Sequence, residues 1–159
     1  SGSEANELAI RMARAYSGER DMIVVESGYH GNTTTLVDVS PYKFDGPGGS
    51  GAPSWVHAVP MPDLYRGAFR DDEPEAGMKY AQAVREAVGR IRQAGRRPSA
   101  FLCESILSCG GQVTLPGVAL TLKAAAGVPV TWPHIPCQVE FWPEEAFTAS
   151  RSPPSADWE

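Results

Sequence analysis

Ser1-Gly2-Ser3-Glu4-Ala5-Asn6-Glu7 opens the chain, and the rest of the sequence is organised around it. A glycine-containing turn runs straight into a helix: Leu8, Ala9, Met12 and Tyr16 recur at helical spacing, and Gly18 supplies the stop. Ser1 and Glu4 stand at capping-box spacing, which holds the first-turn amides open and in order. A helix start gathers free N–H groups at the positive end of its dipole, and glycine lets an anion approach the backbone. Gly2 and Ser3 are therefore candidate phosphate ligands. The same spacing also describes an ordinary capped helix that binds nothing, and spacing alone leaves both readings open.

Further along, Met22–Val25 is a short apolar run suited to a buried parallel strand, and Glu26 to Gly31 reads as the loop that leaves it. Gly46–Gly51 is a glycine-rich surface loop with no helix behind it, so a phosphate role is not expected there. Trp55–Val59 alternates as a strand and ends at Pro60; Pro62 to Glu75 is polar and turn-rich. Tyr80, Ala81, Val84, Ala87, Val88, Ile91 and Ala94 form the clearest helical stripe, closed by Gly95. Ser99–Cys103 is a second buried strand, ending at Glu104. Alternating helices and strands predict an α/β fold with a mostly parallel sheet, whose ligands sit beyond the carboxyl ends of strands. Tyr29-His30-Gly31 and Glu104 both fall at such ends.

The opening S-G-S-E-A-N-E followed by Gly28-Tyr29-His30-Gly31 closely resembles the large domain of class III (fold type I) pyridoxal-phosphate aminotransferases. The similarity narrows at Ser40-Pro41-Tyr42-Lys43-Phe44, Trp55-Val56-His57, Pro62-Asp63-Leu64-Tyr65-Arg66-Gly67 and Glu104-Ser105-Ile106-Leu107-Ser108-Cys109-Gly110-Gly111-Gln112. These motifs are similar to the branch of ethanolamine-phosphate and phosphohydroxylysine phospho-lyases. The resemblance implies that residues 1–120 form part of a three-layer large domain, and it supports a short helix at Asn32–Val37 despite its β-branched residues. Residues 121–159 read as a divergent, proline-punctuated tail. Within it, Leu120 to Ala126 suggests a helical turn, Val128–Thr131 a short strand, and the Ser/Pro/acidic end beyond Phe147 disorder. The chain starts inside a motif without an initiator Met, and we read it as part of a longer protein.

The resemblance also assigns roles. Pyridoxal phosphate is an electron sink whose protein must grip the phosphate, sandwich the ring, pair a carboxylate with the pyridine nitrogen and supply a covalent lysine. Gly2 and Ser3 match the family's phosphate ligands. Tyr29 matches its stacking aromatic, with His30 and Gly31 beside it; read alone, Tyr29 and His30 are also ordinary loop residues. Glu104 matches a catalytic-site glutamate near the cofactor, although a strand-end carboxylate bonded to a neighbouring loop would look the same. Cys109 stands where many members carry a second acidic residue tied to α-carboxylate substrates, and Ser105 replaces the usual proline. Both lean toward a phospho-lyase, with an ω-aminotransferase as runner-up. Lys43, Arg66 and Arg70 are candidates for a substrate phosphate and equally ordinary surface charges. Pro136-Cys137-Gln138-Val139-Glu140 is a poor match to the strand that supplies the pyridine carboxylate. Lys43, Lys79 and Lys123 all lack the context of the covalent lysine, so the chain alone is expected to be inactive, or a non-catalytic copy.

Bulk properties agree with this. The 159 residues carry a formal charge of −5, and the basic cluster Arg90, Arg92, Arg96 and Arg97 suits a helix C-terminus without invoking nucleic acid. No apolar run reaches membrane-spanning length, and no leader precedes the first motif. Cys103, Cys109 and Cys137 are an odd set without disulfide spacing, which points to a reducing, cytoplasmic setting. With His134 they do not match a familiar zinc pattern, so no metal is expected. The expected partners are a small-molecule amine or amino-acid substrate and, by resemblance, a second copy in a homodimer.

Overall fold

A computed structural model describes residues 1–104, 106–109, 111, 113–114 and 137–141. In chain order the elements are α1 (Gly2–Ser17), β1 (Asp21–Val25), α2 (Thr34–Asp38), α3 (Pro41–Phe44), β2 (Val56–Val59), α4 (Ala76–Gln93) and β3 (Pro98–Glu104). The short pair β4 (Ile106–Leu107) and β5 (Val113–Thr114) follows, then β6 (Cys137–Phe141). The main sheet runs β2-β1-β3-β6; β1 is parallel to both β2 and β3, while β6 joins β3 antiparallel. The α/β architecture with a mostly parallel sheet is thus observed. The readings at Leu120–Ala126, Val128–Thr131 and beyond Phe147 lie outside the described residues.

Successive residues of β1 face opposite layers, which is why it reads as continuously apolar. Met22 and Val24 join Ile10, Ala13, Leu36, Val56, Ala100 and Leu102 on one face. Ile23 and Val25 join Tyr80, Val84, Val88, Ile91 and Phe101 on the other. Each fully buried aliphatic side chain contributes about 1.5–3 kcal/mol, so β1 is held from both sides. α4 buries the stripe read from its sequence, with the exception that Ala94 becomes its C-cap.

α1 begins and ends as expected: Ser1 and Glu4 form a complete capping box, and Gly18 closes the helix with φ 68°. The face it buries is different. Asn6, Ile10 and Ala13 point into the sheet, while Leu8, Met12 and Tyr16 are 52%, 52% and 63% exposed. Both sets have helical spacing; small Ala13 allows close approach to the sheet, and a polar Asn6 disguises the buried face in the sequence. α2 starts one residue after its Thr33 cap, whose hydroxyl accepts the Leu36 N–H. α3, with Pro41 in its first turn, carried no periodic signal. β6 lies in the segment read as tail, where flanking prolines left no strand pattern; pairing with β3 makes it a strand.

At the amino ends of the strands, the Asp21 carboxylate is buried and meets His57 Nε2 and Arg96 Nη1, each at 2.6 Å. The Arg14 and Arg20 guanidinium groups lie over the Trp55 ring at 4.7 and 4.9 Å, tying α1 to the start of β2. Among the described residues no helix is long and apolar enough to cross a membrane.

Candidate cofactor-binding site

At the opposite, carboxyl end of β1, the chain passes through Glu26 and Ser27, whose φ of 62° is unusual outside glycine, into Gly28-Tyr29-His30-Gly31. This loop meets the first turn of α1. Ser3 Oγ accepts the Asn32 N–H at 3.2 Å. Gly31 has φ 141°, and a Cβ there would lie 2.5 Å from Leu36 Cδ1 and 2.6 Å from Ser3 Oγ. Only glycine lets the two segments approach this closely. At Gly2 the situation is reversed: an added Cβ meets nothing within 4 Å, and the residue is exposed. The helix start is thus open to an anion exactly where it abuts the Tyr29 loop.

Tyr29 is half-buried. Its N–H donates to Glu104 Oε1 at 2.8 Å, and its ring stands edge-on to Tyr42 with centroids 6.1 Å apart. Lys43 Nζ lies 5.5 Å from the Tyr29 ring and 5.6 Å from that of Tyr42. Lys43 and Tyr42 also border an open cavity of ≈ 550 Å³, with Glu26, Ser27 and Asp45 on its other walls. Of the three candidate phosphate cations, Lys43 is the one beside Tyr29. Arg66 pairs with Asp63 at 3.5 Å, and Arg70 is exposed.

His30 is buried at 3% exposure, and loss of hydration pushes its imidazole down to about 4, so it is neutral near pH 7. Its N–H donates to Ser40 Oγ at 2.9 Å and its carbonyl accepts from Asn6 Nδ2 at 2.8 Å. The imidazole lies against Gly28, where a Cβ would be 3.0 Å from Nε2. Glu104 is also buried: Oε2 accepts the Ser108 N–H and hydroxyl at 3.1 and 3.0 Å. Gly2, Ser3, Tyr29, His30, Gly31 and Glu104 are therefore brought to one end of the sheet. Asn6 and Ser40 join them unannounced, since a buried polar side chain leaves no periodic signal.

An open helix start beside a half-buried aromatic ring suits a ligand that carries a phosphate on a flat ring, which fits pyridoxal phosphate. A sequence model of the aminotransferase class III family matches residues 1–124. The chain belongs to the class III aminotransferases. Membership indicates pyridoxal phosphate as the cofactor, and solved structures of similar fold include a PLP-bound amine transaminase. The chain is 43% identical over 136 residues to an alanine–glyoxylate aminotransferase 2-like protein of Drosophila melanogaster, covering 80% of this chain and 28% of that one. It is 41% identical over 125 residues to ethanolamine-phosphate phospho-lyase homolog 1 of Caenorhabditis elegans, covering 73% of this chain and 27% of the relative. Among solved structures, an Arthrobacter phospholyase in complex with phosphoethanolamine matches with TM-score 0.64 and 32% identity, over 79% of this chain and 30% of that one. This class III chain thus spans under a third of the length of these relatives.

Proposed function

We propose that this chain is the phosphate- and ring-holding portion of a pyridoxal-phosphate enzyme, and that the whole enzyme is an amino-phospholyase. Its reaction would release phosphate by β-elimination from a phosphorylated amine or amino acid. The observation that carries the cofactor assignment is the contact of Ser3 with Gly31, which joins an open helix start to the Tyr29 loop. When bound, the cofactor supplies an electron sink beside the substrate amine. Gly2 and Ser3 offer backbone amides to its phosphate, and the Ser3 hydroxyl, which accepts from Asn32, keeps its own proton to donate. Tyr29 offers a ring face for stacking. His30, neutral and buried, shapes the loop through its backbone. Lys43 is the cation best placed to meet a substrate phosphate.

Support for a phospho-lyase comes from Cys109 in place of an acidic residue and from the likeness to the two phospho-lyases above. The likeness to an alanine–glyoxylate aminotransferase 2-like protein favours an ω-aminotransferase as the second reading. In our reading residues 1–120 belong to the large domain and 121–159 diverge from it. The whole enzyme is a homodimer acting on a small amine in a reducing, cytoplasmic compartment, where the exposed free thiol of Cys109 is stable. Because Lys43, Lys79 and Lys123 stand outside the context of a covalent lysine, the 159-residue chain alone does not turn over.

The test is a paired titration of the chain with pyridoxal phosphate and with pyridoxal. Phosphate held by charge-assisted hydrogen bonds should make the phosphorylated form bind at least roughly tenfold more tightly. Equal affinities would remove the phosphate site at Gly2 and Ser3.

A further inference from the structure

We infer that Asn6, Ser40 and Glu104 are positioning residues: they form a hydrogen-bonded clasp that sets the Tyr29 ring before any ligand arrives. Polar backbone groups of the loop from Gly28 to Asn32 are bonded to residues of other elements. Glu104 at the end of β3 takes the Tyr29 N–H, and Ser40, between α2 and α3, takes the His30 N–H. Asn6 on α1 donates to the His30 carbonyl, Ser3 takes the Asn32 N–H, and the Tyr42 N–H donates to the Gly28 carbonyl at 3.1 Å. Ser40 is itself aimed, because its hydroxyl donates to the Leu36 carbonyl at 2.6 Å. Asn6, Ser40 and Glu104 are 7%, 0% and 6% exposed, so these bonds face little competition from water. Residues from three separate elements thereby fix both sides of Tyr29.

Glu104 does more than hold one amide. Its second oxygen takes the N–H and hydroxyl of Ser108, so a single carboxylate ties the Tyr29 loop to the turn after β4. With both oxygens already accepting, Glu104 is placed to act through the Tyr29 loop. The consequence for the cofactor rests on the proposed stacking at Tyr29, but the clasp itself does not.

Two measurements separate these points. Glu104→Gln puts an NH2 donor where one of the two oxygens faces the Tyr29 or the Ser108 N–H, so at least one of these bonds is lost as the groups are arranged. In the cofactor-free chain, hydrogen exchange at one or both should accelerate by roughly tenfold or more, as expected for a lost bond to a charged acceptor. Exchange at Val24, in the centre of the sheet, should not change. Ser40→Ala should accelerate His30 in the same way. Unchanged exchange at Tyr29 and Ser108 would overturn the clasp. If Glu104→Gln loses protection at Val24 as well, Ser40→Ala decides: faster exchange at His30 supports the clasp and unchanged exchange overturns it. In titrations, a misplaced ring platform should weaken pyridoxal phosphate and pyridoxal by the same factor, at least threefold. Loss of affinity for neither, with exchange accelerated, would leave the clasp standing and overturn its link to the cofactor.

Discussion

Gly31 lies against Ser3 so closely that a Cβ on residue 31 would come within 2.6 Å of the Ser3 hydroxyl oxygen and 3.1 Å of its Cα. This contact seats the start of α1 beside the Tyr29 loop. Leu36 Cδ1, at 2.5 Å, is a side-chain tip that can shift, but the Ser3 Cα at 3.1 Å is backbone and yields only if the start of α1 moves. Gly31→Ala should therefore destabilise the chain by about 2–4 kcal/mol, combining strain at φ 141° with overpacking. Urea melts of the two chains check this. A change below about 0.5 kcal/mol, the size usual for surface substitutions, would mean that the two segments are not pressed together.

Gly2→Val should behave in the opposite way. An added Cβ there meets no protein atom, so the melting midpoint should stay where it is. Affinity for pyridoxal phosphate should fall by about 1–3 kcal/mol as the anion loses its approach to the backbone, while affinity for pyridoxal is unchanged. Calorimetric titration with both ligands is the check, and full retention of the phosphate preference would return α1 to a plain capped helix.

His30 makes stability depend on pH. Its folded value is pushed down to about 4 by burial, below the ordinary 6.5 of the unfolded chain. Between those values the unfolded state binds the proton first, so stability is full above about pH 6.5 and is lost as pH falls toward 4. Below that, the contribution is gone. The total is at most about 3 kcal/mol by linkage, and His30→Gln should flatten this part of the profile. Denaturation at pH 7, 5.5 and 4.5 reads it directly; parallel profiles for both chains would show that His30 is not buried neutral.

The exposed stripe Leu8, Met12 and Tyr16 on α1, together with the outer edge of β2, which pairs with no further strand among the described residues, should make the isolated chain prone to association. Leu8→Lys with Met12→Lys should raise the concentration at which light scattering appears and leave the melting temperature within about 2 °C, because neither side chain is in the core. A large fall in melting temperature would place that face inside the fold.

Features written within a few residues of one another were legible in the sequence alone. The Ser1–Glu4 box and Gly18 determine where α1 starts and stops, since a cap is satisfied inside one helical turn. The stripe from Tyr80 to Ile91 identifies the buried face of α4, and the runs at Met22–Val25 and Ser99–Cys103 identify central strands. The order of the opening motif and Tyr29-His30-Gly31 was enough to suggest the family. Tertiary structure decided what depends on distant partners. α1 offers two faces of helical spacing, and only the fit of Ala13 and Ile10 to the sheet selects the one that carries Asn6 inward. Glu104 finds the Tyr29 amide 75 positions away, and the Ser40 hydroxyl finds His30 across α2. Cys137–Phe141 becomes a strand because β3 offers an open edge. A buried hydrogen bond requires two groups to be desolvated together, and which groups meet is set by the packing of the layers rather than by their spacing along the chain.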